Sequence, residues 1–419
     1  MTQIIDLSQQ PELVILAAVS DRDESSTQAA LDELEELTRT AGAVVCGRVI
    51  QKLERPNLST YLGKGKLEEL AILVQESGAS GVICDDELTP AQMAGMAEVL
   101  DVKVMDRTLL ILDIFAAHAT TREGAIQVEL AQLRYRATRL TGLGKSLSRL
   151  GGGIGTRGPG EKKLEIDRRR IRERISILKR ELEEIRQHRD LSRSRRQKNS
   201  MPVISIVGYT NAGKSTLLNH LTGAGVLEED MLFATLDPVT RNLVLENGQE
   251  ILLTDTVGFI HKLPHHLVEA FRSTLEEARY ADLIIHMVDA SHPQCDMHMQ
   301  VVYDTLRNLE VGDKKIITVF NKIDLLEEQG IAFDVRDLRA DATVRTCMKD
   351  GRGIDELLEK IADFLQESSL LIERVFKYEE AGSIAVIRKY GQLLEERYQE
   401  DGIYVRARIP RDIYARIAF

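Results

Sequence analysis

The sequence predicts an α/β protein built around a phosphate-binding loop, with a small α/β domain and a helical hairpin arm ahead of that loop and a small α+β piece behind it. Three observations predict this. Short apolar runs alternate with helical patterns over residues 12–118 and again from residue 203. A glycine-rich octapeptide follows the first strand of the second series. Between the two series the apolar spacing becomes that of long helices. At 419 residues the chain exceeds the ~250 at which single cores divide. The expected division is 1–123, 124–198, 199–367 and 368–419.

Composition sets the class. Hydrophobic residues make up 43% and charged residues 29%, enough apolar side chain to fill cores and to exclude wholesale disorder. Cys46, Cys84, Cys295 and Cys347 lie far apart with no CxxC or Cys/His cluster, so neither a disulfide framework nor a zinc site is signalled. The N-terminal MTQIIDLSQQPEL lacks a basic n-region, and no stretch reaches the ~18 apolar residues of a membrane span. A cytoplasmic protein without stable membrane insertion is expected. Net charge is −11, which by itself argues against DNA or RNA, but residues 134–198 hold 21 Lys/Arg against 8 Asp/Glu. The remaining residues therefore carry −24, an asymmetry expected of a basic arm that meets phosphate while the rest stays acidic.

The first series runs ELVILAAVS, ESSTQAALDELEEL, GAVVCGRVI, KLEELAILVQES, GVICDD, TPAQMAGMAEVL and VKVMD, the rhythm of a small α/β domain. Within it, YLGKGKLEEL places Gly63, Lys64, Gly65 and Lys66 together, but at no phosphate-loop spacing. It reads as a turn before a helix. From residue 124, Ile126, Leu130, Leu133, Ala137 and Leu140 form one helical stripe, and Leu164, Ile171, Ile175, Leu178, Leu182 and Ile185 a second. Two such helices can pair as an antiparallel hairpin. Between them lies TGLGKSLSRLGGGIGTRGPGEKK, too rich in glycine for a regular element and carrying Lys145, Arg149, Arg157, Lys162 and Lys163. A backbone so bare of side chains can approach a polyanion closely, so RNA contact is favoured over a solvated linker. DLSRSRRQKNSMP, residues 190–202, reads as the interdomain linker.

The second series carries the chemistry. PVISIVG reads as a buried strand, and Gly208-Tyr209-Thr210-Asn211-Ala212-Gly213-Lys214-Ser215, followed by Thr216, turns from it into a helix. That is the Walker A spacing: glycines let successive N–H groups converge on phosphates, Lys214 reaches the β/γ oxygens, and the Ser215 hydroxyl ligates Mg²⁺. Asp255-Thr256-Val257-Gly258 ends the strand ILLTDT and fits the element whose Asp holds Mg²⁺ through water and whose Gly N–H meets the γ-phosphate. Asn321-Lys322-Ile323-Asp324 ends KKIITVF. Its Asp324 carboxylate can accept from both N1–H and the 2-amino group of guanine, a donor pair adenine lacks. The three motifs, in this order, predict GTP/GDP as the nucleotide. Asn211 admits two readings, a ligand of K⁺ beside the phosphates or a residue that only tightens the loop.

GYTNAGKST, FATLDPVTRN, DTVGFIHKLPHHLVEAF and NKID resemble the translation-factor-related GTPases. With TYLGKGKLEEL, GAIQVELAQLRY and GLGKSLSRLGGGIGTRGPGEKKLEIDRRRI, nearly all of residues 12–365 resembles the ribosome-associated GTPase HflX family. The resemblance implies a P-loop GTPase fold, a monomer acting on the ribosomal large subunit and its rRNA rather than DNA, and splitting or rescue of stalled ribosomes. It makes Thr235, within Phe233-Ala234-Thr235-Leu236-Asp237, the switch threonine that ligates Mg²⁺ in the GTP state. Lys214, Thr235, Asp255 and Gly258 are then the catalytic set, with Ser215 and Thr235 as the metal ligands. Two positions depart from the pattern. Where the family usually shows Ser-Ala for the last guanine contact, this chain has Cys347-Met348, so the contact is expected from main-chain N–H. Where a Ras-like site has a water-orienting Gln, this chain has Phe259, which implies slow intrinsic turnover raised by a large partner. His261, His265 and His266 read as solvated residues rather than bases. Competing functions are a nucleotide-gated RNA-binding scaffold and a membrane-trafficking GTPase; the second finds no lipidation signal or amphipathic anchor.

Overall fold

The computed structural model describes residues 11–21, 24–147, 159–198, 201–223, 231–233, 235–262, 277–332, 334–367, 369–410 and 414. Described residues up to Glu183 form one compact unit and those from Glu184 a second.

In the first unit β1 (Leu13–Ser20), α1 (Glu24–Thr40), β2 (Val44–Lys52), α2 (Lys64–Ser77), β3 (Gly81–Cys84), α3 (Pro90–Leu100), β4 (Lys103–Asp106) and α4 (Arg107–His118) alternate. The sheet is wholly parallel in the order β2-β1-β3-β4. β3 is buried along its whole length because helices cover both faces of such a sheet. YLGKGKLEEL is the turn before a helix: Gly63 caps α2 and donates its N–H to Gln51 Oε1 at 2.7 Å. α3 begins on a capping box of Thr89 and Gln92, with Pro90 at its first position.

α5 (Arg122–Leu147) and α6 (Pro159–Lys198) follow. Arg122 pairs with Glu181 at 3.3 Å, Arg174 with Glu129 at 2.7 Å, and Arg168 donates to the Leu140 carbonyl at 2.9 Å. As the position on α5 advances, its partner on α6 retreats, so the helices are antiparallel. Ile126, Leu130 and Leu178 of the two stripes are buried. Asp106 anchors α5 to the sheet: it accepts from Tyr135 Oη at 2.8 Å and Arg139 at 2.6 Å. The helices extend beyond the expected bounds. α5 continues through Gly142 and Gly144, α6 starts at Pro159, and residues 190–198 of the expected linker are helical. Polar residues without glycine or proline do not end a helix, and Pro is favoured at its first position. Residues 148–158 of the tip lie outside the described set.

The second unit holds a six-stranded sheet in the order β10-β9-β8-β5-β7-β6. Its strands are β5 (Val203–Gly208), β6 (Val239–Val244), β7 (Glu250–Asp255), β8 (Leu283–Asp289), β9 (Lys315–Asn321) and β10 (Ala342–Arg345). Only the β6/β7 pair is antiparallel. α7 (Lys214–Thr222), α8 (Cys295–Asn308), α9 (Ile323–Glu328) and α10 (Ile354–Glu367) connect and cover these strands. Ile204, Ile206, Leu253, Ile285, Ile317 and Val319 form the core with Leu217 of α7 and Leu357 of α10. β11 (Ser369–Phe376), α11 (Ala381–Tyr390), β12 (Gln392–Gln399) and β13 (Gly402–Pro410) make a three-stranded antiparallel sheet, β11-β13-β12, with its own core of Phe376, Ile387, Val405 and Ile409. No described helix is long and apolar enough to cross a membrane.

Candidate active site

The glycine-rich octapeptide leaves the carboxyl end of β5, between β7 and β8. Gly208 has no substitute here, since a Cβ would lie 2.4 Å from the Met287 carbonyl oxygen. Asn211 has φ 59° and Gly213 φ 96°, left-handed conformations that Gly adopts freely and Asn tolerates. These two bends fold the loop under α7, which begins at Lys214 with no side chain capping it. The first amides of α7 are thereby left for an anion. Ala212 is buried and Thr216 half-buried.

Lys214 is nearly buried and donates from Nζ to the Tyr209 carbonyl at 2.7 Å. Burial pushes its ammonium down to about 8, against the pull of Asp255. Asp255, fully buried at the end of β7, is pushed up by the same desolvation, opposed first by Lys214 and then by hydroxyl donors. Ser215 Oγ donates to Asp255 Oδ2 at 2.7 Å and lies 2.8 Å from Thr235 Oγ1. Phe233 and Leu236 are buried on either side of half-buried Thr235, and Asp237 is also buried; Ala234 lies outside the described residues. Thr256 ties the next motif to β5 through its hydroxyl on the Ile206 carbonyl, 2.8 Å, and Val257 is buried. Gly258 abuts the loop: a Cβ there would stand 2.9 Å from Thr210 Cα and 3.0 Å from Lys214 Nζ.

These residues fit magnesium. Asp255 Oδ1 is buried without a hydrogen-bond partner, beside two hydroxyls 2.8 Å apart. Hard oxygen donors suit this ion, whose adjacent octahedral ligands are about 3 Å apart at bond lengths of about 2.1 Å. Among the described residues no group of three or more His, Cys, Asp or Glu could hold a metal.

Asn321 assembles the part of the site to which the sequence assigns the base. Its Nδ2 donates to the Ala212 carbonyl at 3.0 Å, and its Oδ1 accepts from the Met348 amide at 3.1 Å. One side chain thus joins the phosphate loop to the segment after β10. Lys322, at φ 62°, turns its Nζ to Asp289 at 2.8 Å. Ile323 is partly buried, and Asp324 stands half-buried in the first turn of α9. Cys347 and Met348, the expected last guanine contact, follow β10, and Met348 meets Asn321. Their amides are engaged within the protein, Cys347 N–H on the Arg352 carbonyl at 3.1 Å and Met348 N–H on Asn321.

Phe259 is a buried core side chain, so it orients no water. Its backbone pairs with the loop, Phe259 N–H to the Gly208 carbonyl at 3.0 Å and Thr210 N–H to the Phe259 carbonyl at 2.9 Å. His261 presents its amide to Tyr209 Oη at 2.7 Å; His265 and His266 lie outside the described residues. Sequence reasoning missed Asp289 and His298, the latter stacked on the Tyr209 ring. Both lie on elements with no motif, and only the fold brings them to the loop.

Three family models cover the chain: "GTP-binding GTPase N-terminal" over residues 28–116, "GTP-binding GTPase Middle Region" over 118–196, and "50S ribosome-binding GTPase" over 203–322. A GTP-binding protein from the archaeon Sulfolobus solfataricus, solved with GDP, aligns at 26% identity and TM-score 0.43, covering 84% of this chain and 98% of that one. GTPase HflX of Caldanaerobacter subterraneus subsp. tengcongensis is 50% identical over 98% of this chain and 94% of its own length. GTPase HflX of Lacrimispora saccharolytica is 60% identical over 100% of this chain and 98% of its own. An identity of this size, sustained from the first sheet through the nucleotide loop to the last, means that the chain belongs to the GTPase HflX family.

Proposed function

We propose that this GTP-hydrolysing enzyme couples its nucleotide cycle to the ribosomal large subunit, that the basic hairpin makes the rRNA contact, and that the outcome is splitting or rescue of stalled ribosomes. The observation that carries the reading is the placement of the most basic segment of an acidic chain on an antiparallel helical hairpin. A segment of this charge can neutralise the phosphates of folded RNA.

At the pocket, residues 211–216 cradle the phosphates, Asp324 reads guanine, and Lys214 binds the β/γ oxygens. Magnesium would be held by Ser215 and Thr235, with Asp255 acting through water, and bound there it neutralises charge on the phosphate oxygens. Gly258 presents its N–H to the γ-phosphate. With Phe259 buried, water must be ordered by another group, supplied when the docked subunit sets the switch segments. Turnover in potassium against sodium tests whether Asn211 also holds a cation. We take the protein to be a cytoplasmic monomer without DNA partners.

Replacing residues 145–160 by a neutral Gly/Ser loop is the test. GTP affinity is expected to stay within about twofold, while log K for large subunits against log salt flattens by roughly 0.9 or less per lost phosphate contact. Subunit stimulation of hydrolysis, and splitting, should vanish. Full stimulation of the replaced protein would move the effector surface to the N-terminal sheet domain. Turnover that is unaffected by ribosomes in the wild type would favour the scaffold reading.

A further inference from the structure

Phosphate-loop chemistry uses only the backbone of residue 209, yet this chain places a tyrosine there and buries it to 5% exposure. Its hydroxyl accepts the His261 amide at 2.7 Å. Its ring lies flat on His298 of α8, with centroids 3.7 Å and planes 6° apart. The His292 ring lies 4.3 Å from that of His298, tilted by 33°. Burial, then the neighbouring His292, pushes His298 down to about 3, so the stack is between neutral rings around neutral pH.

Tyr209 extends a series. Phe259 and the loop already exchange two backbone hydrogen bonds, at 3.0 and 2.9 Å, and the Tyr209 hydroxyl adds a third attachment two residues further along. Gly258, immediately before this series, has no slack against the loop: a Cβ would meet Thr210 Cα at 2.9 Å and Lys214 Nζ at 3.0 Å. The placement of residues 259–261 therefore sets the placement of the Gly258 amide.

We infer that Tyr209 is a positioning residue for the hydrolytic step: its ring, seated on His298, and its hydroxyl, receiving the His261 amide, hold the Gly258 peptide at its working distance from Lys214. The inference rests on the GTPase reading of this site. It separates two quantities that a purely structural role would move together. GDP binding uses the loop and the base contacts, whereas hydrolysis depends also on Gly258.

Steady-state GTP turnover and GDP affinity are to be compared for wild type, Tyr209→Phe, His298→Ala and the double variant. Phenylalanine keeps the stack and removes only the acceptor. In Tyr209→Phe, kcat is expected to fall about tenfold, the loss of the hydrogen bond from the part-buried His261 amide expressed in the transition state, with GDP Kd changed less than about twofold. His298→Ala should act in the same direction, and the double variant should lose less than the product of the two, because both act through one ring. Unchanged kcat in Tyr209→Phe, or a GDP affinity that falls in step with kcat, overturns the inference. If Tyr209→Phe does not fold, the same two outcomes in His298→Ala decide it. A wild type that does not turn over GTP would instead overturn the enzymatic reading beneath it.

Discussion

Replacing Asn321 by alanine removes one side chain that bridges two loops, and the geometry sets the size of the effect. Asn321 is 3% exposed, and its partners Ala212, Thr346 and Met348 are buried too. The variant leaves the Ala212 carbonyl and the Met348 amide unpaired, while the Thr346 hydroxyl keeps a route to the Phe320 carbonyl at 3.5 Å. A buried group left unsatisfied costs about 1–3 kcal/mol, so two such groups, partly relieved by a water in the vacated space, cost about 2–4 kcal/mol. At about 2–4 °C per kcal/mol for a domain of this size, Tm should fall by roughly 4–16 °C. Both bonds join protein groups to each other, so the loss belongs to the nucleotide-free protein as well as to its complexes. Differential scanning calorimetry of nucleotide-free protein, run beside a GDP titration, measures both. If Tm moves by less than about 2 °C while GDP affinity collapses, Asn321 acts on the base alone and the bridging argument is refuted.

Three further outcomes follow from the pocket. Asp324→Asn exchanges a double acceptor for an amide and should shift preference from GTP toward XTP, whose 2-oxo group replaces the amino donors; a GTP/XTP affinity ratio equal to that of the wild type would remove Asp324 from the base site. Thr235→Ala should spare GDP affinity while weakening binding of a non-hydrolysable GTP analogue, whereas Lys214→Ala should weaken both; equal loss of GDP binding in the two variants would count against Thr235 as the switch residue. Lys214 titrates near about 8 in the free pocket, below its ordinary 10.5, and phosphates favour its ammonium form. Between these two values GDP binding should take up a proton and weaken as pH rises, by at most about tenfold per unit. The unfolded chain binds that proton more tightly than the folded one, so the free protein should gain stability from Lys214 over the same rise. Calorimetric GDP titrations near pH 8.5, in buffers of different ionisation enthalpy, measure the uptake, and zero uptake contradicts the shift.

Legibility along this chain follows how locally each feature is encoded. The central strands β5, β7, β8 and β9 are continuous apolar runs because both faces are covered. The edge strands β6 and β10 carry no such run, since edge position leaves them half-exposed. The basic stretch 190–198 reads as a linker by polarity, yet it is helix, because helix endings are marked by Gly, Pro and caps more than by charge.

What the sequence determined by itself is the phosphate loop and its ordered companions Asp255–Gly258 and Asn321–Asp324, because each needs residues of fixed type at fixed spacing. It also determined the two long helices of the hairpin, whose apolar stripes mark them as helical. Only the tertiary structure decided which groups meet at that loop. Asn321 bonds Ala212, more than a hundred residues distant; His298 stacks on Tyr209; Gly258 stands against Lys214; and the amides of Cys347 and Met348 are committed to protein partners. A parallel sheet brings the carboxyl ends of strands distant in sequence to one edge, and the contacts made there depend on strand order and register rather than on any local pattern.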